Sequence, residues 1–188
     1  MTFRFPKRYA DFVQRLRVPA GFVILGGFAL LARPTWVLMA TSVPVVLLGM
    51  ALRAWAAGHL EKNQKLAVSG PYSYTRNPLY LGSLVVAFGF VVASGSWWLG
   101  WLFLTVFVLI YLPVMEQEAA HLSKLFPDYE AYAQRVPLLL PAVLAYAGST
   151  AGKRFSMDVF RRNKEQKAWY GALAGYALLA AKVQFLGN

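Results

Sequence analysis

Apolar residues come in long blocks, and short polar or basic segments separate them. The first block runs from about Val18 to Ala32 and stops at Arg33-Pro34. The second covers Trp36 to Ala57, with Pro44 inside it as an expected kink that neighbouring helices tolerate. Leu79–Ala93 and Trp97–Val114 follow, joined by Ser94-Gly95-Ser96, which reads as a tight helical hairpin. A fifth block spans Ala168 to Leu186. A membrane helix needs about 20 apolar residues, so the pattern predicts about five spans, the first of them short. Trp36, Trp97, Trp98 and Trp169 stand at the expected ends, where an aromatic belt belongs. Leu122, Leu125 and Phe126 share one helical face, which predicts an amphipathic helix lying along the inner surface.

Basic residues orient this array. With the N-terminus inside, five spans place residues 1–17, 58–78 and 115–167 in the cytoplasm. Those segments hold 16 of the 19 Lys and Arg, Arg4 and Lys153 among them. Arg33 and Lys182 fall outside, Arg53 sits at a helix end, and every acidic residue is inside. Such a bias fixes topology, and it leaves the C-terminus outside.

Composition agrees. Hydrophobic residues make up 58% of the 188 and charged ones 14%, against averages of roughly 45–50% and 25% in soluble domains. A soluble domain of this length cannot bury so much apolar surface. The net charge of +11 is explained by topology and by anionic lipid headgroups, without nucleic acid. The absence of cysteine excludes disulfides, thiolate metal sites and cysteine nucleophiles. Two distant histidines, His59 and His121, give no basis for a metal site. The basic N-terminal stretch has no small-residue cleavage site after the first block, so that block reads as a retained helix.

Polar chemistry is confined to two inner segments. One contains Gly58-His59 and then Ser69-Gly70-Pro71-Tyr72-Ser73-Tyr74-Thr75-Arg76-Asn77-Pro78-Leu79-Tyr80-Leu81-Gly82. Gly70-Pro71 signals a turn, and Asn77-Pro78 opens a helix whose first N–H groups are unpaired and suit a polar ligand. On local features alone it reads equally as a membrane-border loop with a snorkelling arginine. The other segment carries Glu116, Glu118, His121, Phe126, Tyr129, Tyr132 and Val136-Pro137. A carboxylate leaving a membrane helix needs a partner, although solvated interface charges fit Glu116 and Glu118 as well. Taken together the segments say more, because a two-helix hairpin is expected to return Arg76 and Glu118 to one membrane face.

At these residues the sequence resembles the isoprenylcysteine carboxyl methyltransferases and their phospholipid methyltransferase relatives. Their pattern is met by Gly70, Tyr72, Arg76, Pro78, Tyr80 and Gly82, then by Glu118, Phe126, Tyr129, Tyr132, Val136 and Pro137, over about residues 58–141. Asn77 stands in place of the usual histidine, Ala119 in place of a second acid, and Pro127 in place of a glycine. Asparagine hydrogen-bonds but cannot shuttle a proton, so position 77 positions a ligand only. Glu116 is a candidate for the second negative charge.

The apolar blocks and the resemblance together give an all-α polytopic bundle in a single membrane domain: N-terminal helices over 1–57, a methyltransferase core over 58–141 where the resemblance lies, and a basic juxtamembrane segment with a last helix over 142–188 outside it. The resemblance implies S-adenosylmethionine as donor, with S-adenosylhomocysteine as product, and a lipophilic acceptor entering from the bilayer. By the same resemblance His59, Tyr74, Asn77, Pro78, Tyr80, Glu116 and Glu118 line the cofactor site, and Arg76 and Glu118 are catalytic. Carboxylate O-methylation is favoured, since an ionised carboxylate needs no base, whereas amine N-methylation would call on Glu118. Two other readings remain: an NADPH-dependent membrane sterol or enone reductase, and a non-enzymatic scaffold. Gly171-x-x-x-Gly175 is the feature that would support a homodimer.

Overall fold

The structure is a computed structural model that describes residues 5–147 and 154–186. Arg4, Lys153 and both chain ends, which enter the charge count and the expected topology, lie outside the described residues. Among the described residues eight α-helices follow in order: α1 Lys7–Leu31, α2 Trp36–Ala57, α3 Pro78–Ser94, α4 Trp97–Val106, α5 Leu112–Leu125, α6 Tyr129–Arg135, α7 Met157–Arg162 and α8 Gln166–Leu186. A 3-10 turn at Gly70–Ser73 precedes α3, and a π turn at Phe107–Tyr111 joins α4 to α5. No strand occurs among the described residues. The fold is all-α.

Each of the five apolar blocks is helical, but they are not equally suited to crossing a bilayer. By length and composition two qualify, Trp36–Ala57 and the continuous 29-residue stretch Trp97–Leu125. A third joins them if α1 is one span, bent by 49° between Arg8–Leu16 and Pro19–Leu31. Pro19 removes an i−4 hydrogen bond, which accounts for the bend. α3 is apolar but has only 17 residues, and α8 carries Gln166, Lys167, Lys182 and Gln184. The count of five spans therefore stays an expectation. The amphipathic stretch around Leu122 and Leu125 is helical as expected, and it continues the long apolar helix without a break.

Pro113 explains how that helix stays continuous. A proline cannot donate to the carbonyl four residues back, a defect worth about 3 kcal/mol in an ordinary helix. Here the π turn intervenes, with the Leu112 N–H donating to Phe107 O. The orphaned Leu109 carbonyl accepts instead from the Tyr9 hydroxyl at 2.8 Å.

The described chain gathers into two compact units. One takes the chain up to Val43 with Ala87–His121 and the chain from Gly175; the other takes Pro44–Val86 and Leu122–Ala174. In the first, Ala32, Met39, Ala93, Leu99, Leu179 and Val183 form a buried apolar cluster. Gly95 turns the α3–α4 hairpin at φ +61°, where a Cβ would meet Arg33 O at 2.7 Å. The hairpin holds the α1–α2 link through Arg33 N–H to Ser94 O at 2.7 Å. The second unit contains the loop leading into α3.

Candidate functional site

The loop is set from below by a histidine. Gly70 adopts φ +58°, and a Cβ there would lie 2.7 Å from Nε2 of His59 and 2.8 Å from two ring carbons. Only glycine satisfies both the left-handed backbone and the close approach. His59 is buried, with Nδ1 2.9 Å from the Trp55 carbonyl, and the rings of Trp55 and Phe155 pack against it edge-on. Gly58 makes room for Phe155, whose ring would stand 2.2 Å from a Cβ at that position. Gly70→Ala is thus expected to cost about 2 kcal/mol and to lower the melting temperature in detergent, with a matching loss in Gly58→Ala.

Beyond the turn, the loop is clamped by the chain that follows α6. The Arg76 N–H donates to Pro137 O at 2.9 Å, Asn77 Nδ2 to Leu138 O at 2.9 Å, and Thr75 Oγ1 to Leu139 O at 2.9 Å. In return Ala142 N–H donates to Tyr74 O at 2.8 Å and Tyr146 N–H to Ser73 O at 2.9 Å. The Tyr132 hydroxyl donates to Tyr72 O at 2.7 Å. Burial, reinforced by Tyr129 and only partly offset by Arg76, pushes the Tyr132 phenol well above its ordinary range. It therefore stays a donor.

Arg76 sits at the centre of this clamp. Its Nη1 lies 3.3 Å from the Tyr129 hydroxyl, and its Nε is buried and meets no hydrogen-bond partner among the described residues. A buried donor of a charged group left unused is costly unless something anionic completes it.

One further residue holds the start of α3. Arg53, near the end of apolar α2, donates from Nε to Glu165 Oε1 at 2.6 Å and from Nη1 to Leu79 O at 3.3 Å, and it also bonds the Ser83 hydroxyl. Its stem crosses Gly82, where a Cβ would meet Arg53 Cγ at 2.6 Å and Gly49 O at 2.9 Å. Gly49 returns the contact, since a Cβ there would meet Val86 N at 2.7 Å. The glycine pair lets α2 and α3 touch backbone to backbone. Asn163 caps α2, with Nδ2 donating to Ala57 O at 2.8 Å and Leu60 O at 2.9 Å.

A profile of the phospholipid methyltransferase family matches residues 50–129. The chain is also 30% identical to the cobalt-zinc-cadmium resistance protein CzcN of Cupriavidus metallidurans, over 74% of this chain and 67% of that protein. The chain belongs to the phospholipid methyltransferase family. The nickel-cobalt-cadmium resistance protein NccN of Alcaligenes xylosoxydans xylosoxydans is likewise 30% identical, over 72% of this chain and 66% of that protein. No solved structure matches it.

Within this membrane methyltransferase family member, the expected site residues fall in distinct places. Tyr74, Arg76, Asn77, Pro78 and Tyr80 share the loop and first turn of α3, Pro78 buried and the others half-buried. His59 lies behind Gly70. Asn77 is occupied with Leu138 O, a positioning bond that histidine is not required to make. Glu116 and Glu118 belong to the other unit, on α5. There Glu118 is exposed, while half-buried Glu116 accepts from the Phe5 N–H at 3.4 Å. Arg53, Glu165 and Asn163 were not expected at the site. A charge inside an apolar helix is the one signal that pointed to Arg53.

Proposed function

We propose that this protein is an integral membrane methyltransferase that moves the methyl group of S-adenosylmethionine to a lipid-like or isoprenylcysteine-like acceptor. The supporting observation is Arg76: a half-buried guanidinium whose buried Nε is a spare donor, fixed at the start of an apolar helix. That arrangement suits the anionic head of a molecule whose tail stays in lipid. The charge bias along the chain supports a cytoplasmic site.

The residues present fit the donor. A sulfonium compound favours carboxylates and aromatic faces; Tyr74 and Tyr80 offer the latter beside Arg76, Glu118 is the carboxylate proposed for the former, and no metal is needed. When bound it supplies an electrophilic methyl carbon. The acceptor lone pair forms the new bond to that carbon as the C–S bond breaks and its electrons pass to sulfur. The chain's task is mainly orientation: Arg76 holds the acceptor carboxylate or phosphate, Asn77 and Thr75 fix the loop, and His59 sets the Gly70 turn. For a carboxylate no proton moves. For an amine, Glu118 is the proposed base.

The metal-resistance names of the two relatives extend this reading to a role in metal tolerance exercised through methylation. No group of three His, Asp or Glu that would hold a metal occurs among the described residues.

Purified protein in detergent is expected to melt higher with S-adenosylhomocysteine and unchanged with NADPH. Ligand at about 100 times its dissociation constant adds roughly 2.7 kcal/mol. Stabilisation by NADPH alone would establish the reductase, and no response to either would favour a scaffold. Labelled methyl donor added to membranes then identifies the acceptor.

A further inference from the structure

Between α6 and α7 the chain runs without helix from Pro137 to Tyr146, and three of its large apolar side chains are exposed. Leu140 is 73% exposed, Val143 95% and Leu144 83%. An ordinary solvent loop would not present three large apolar residues within five positions. Nor does this segment hang free. Its carbonyls at Pro137, Leu138 and Leu139 accept from the Arg76 N–H, Asn77 Nδ2 and Thr75 Oγ1, and its N–H groups at Ala142 and Tyr146 donate to Tyr74 O and Ser73 O.

We propose that residues 137–146 are a rigid strap lying in the interfacial region of the bilayer, with Leu140, Val143 and Leu144 buried among phospholipid acyl chains beside the Arg76 loop. Irregular backbone enters apolar surroundings only where its polar groups are satisfied by protein. Here the 73–77 loop supplies partners for five of the strap's backbone groups, turning that polar edge inward and leaving Leu140, Val143 and Leu144 outward. Pro137 and Pro141 keep it from coiling into a helix. Exposed Arg135 immediately precedes the strap, and exposed Arg154, Arg161, Arg162, Lys164 and Lys167 follow it in sequence. Apolar residues flanked by cations match acyl chains lying beneath anionic phosphates. A water-exposed or protein-covered loop has no need of that pairing. The proposal rests on membrane residence, not on the reaction.

The cysteine-free sequence allows a direct test with the full chain. Val143→Cys and Leu144→Cys are labelled with an environment-sensitive nitrobenzoxadiazole dye in vesicles of phosphatidylethanolamine and phosphatidylglycerol. Gln134→Cys, exposed on α6, is the control, and Leu140→Cys repeats the reading from the strap's other end should either variant misfold. Dyes on the strap should emit to the blue of the control. Acyl-chain nitroxide lipids should quench them several-fold more strongly, and aqueous iodide more weakly. Control-like emission at the strap positions would overturn the proposal by placing it in water. Blue emission without nitroxide quenching would overturn it by showing protein cover, a second copy included.

Discussion

Arg76→Ala is expected to lower methyl transfer by about 10²-fold or more, the loss that follows when a group orienting the reactants is removed. The protein should stay folded, because the change deletes a buried Nε that lacks a partner, gives up one long bond to the Tyr129 hydroxyl and leaves the backbone bond from position 76 to Pro137 O intact. Arg76→Lys should recover little, since a point-like ammonium cannot present the planar fork that matches a carboxylate or phosphate. Glu118→Gln, at the carboxylate proposed to face the cationic donor, should lose activity to a similar degree. Initial rates with labelled methyl donor in vesicles, set beside melting curves, check both. Full activity in either variant would remove that residue from the proposed chemistry.

Glu165→Gln should lower the melting temperature by roughly 10 °C. The side chains of Arg53 and Glu165 are 22% and 8% exposed, with 2.6 Å between Nε and Oε1. Removing one partner of a buried pair leaves an uncompensated charge, at a cost of roughly 3–5 kcal/mol, and each kcal/mol shifts the midpoint by about 2–4 °C at this chain length. The apolar double variant Arg53→Met/Glu165→Leu should regain most of the loss, because no buried charge remains. Thermal unfolding followed by circular dichroism in detergent decides it. A Glu165→Gln protein that melts with the parent would show that the pair carries no weight.

The helices were legible because apolar blocks report a local preference for lipid, and Gly95 was legible because a tight hairpin needs a left-handed residue. α1 was read as starting near Val18, yet it begins at Lys7, since basic residues on a helix do not register as a span. At the site, the Gly70-Pro71 turn and the Asn77-Pro78 helix start are where the sequence pattern puts them. What holds them was hidden. Arg53 finds Glu165 and Asn163 finds Ala57 across more than a hundred residues, and no local pattern names such partners. The strap was equally opaque: Val136-Pro137-Leu138-Leu139-Leu140-Pro141 reads as apolar, but only its bonds to Ser73–Asn77 show that one backbone edge is held by protein.

The π turn at Phe107–Tyr111 has a consequence for numbering along the long helix. A π turn accommodates one residue more than an α turn, so the angular phase slips there by about 100°. A helical wheel drawn straight through Trp97–Leu125 therefore assigns Glu116 and Glu118 to the wrong side. Deleting one residue within 107–111 would restore regular winding and keep both carboxylates facing as they do now, whereas a deletion between Tyr111 and Glu116 would swing both carboxylates round by about 100° relative to α4.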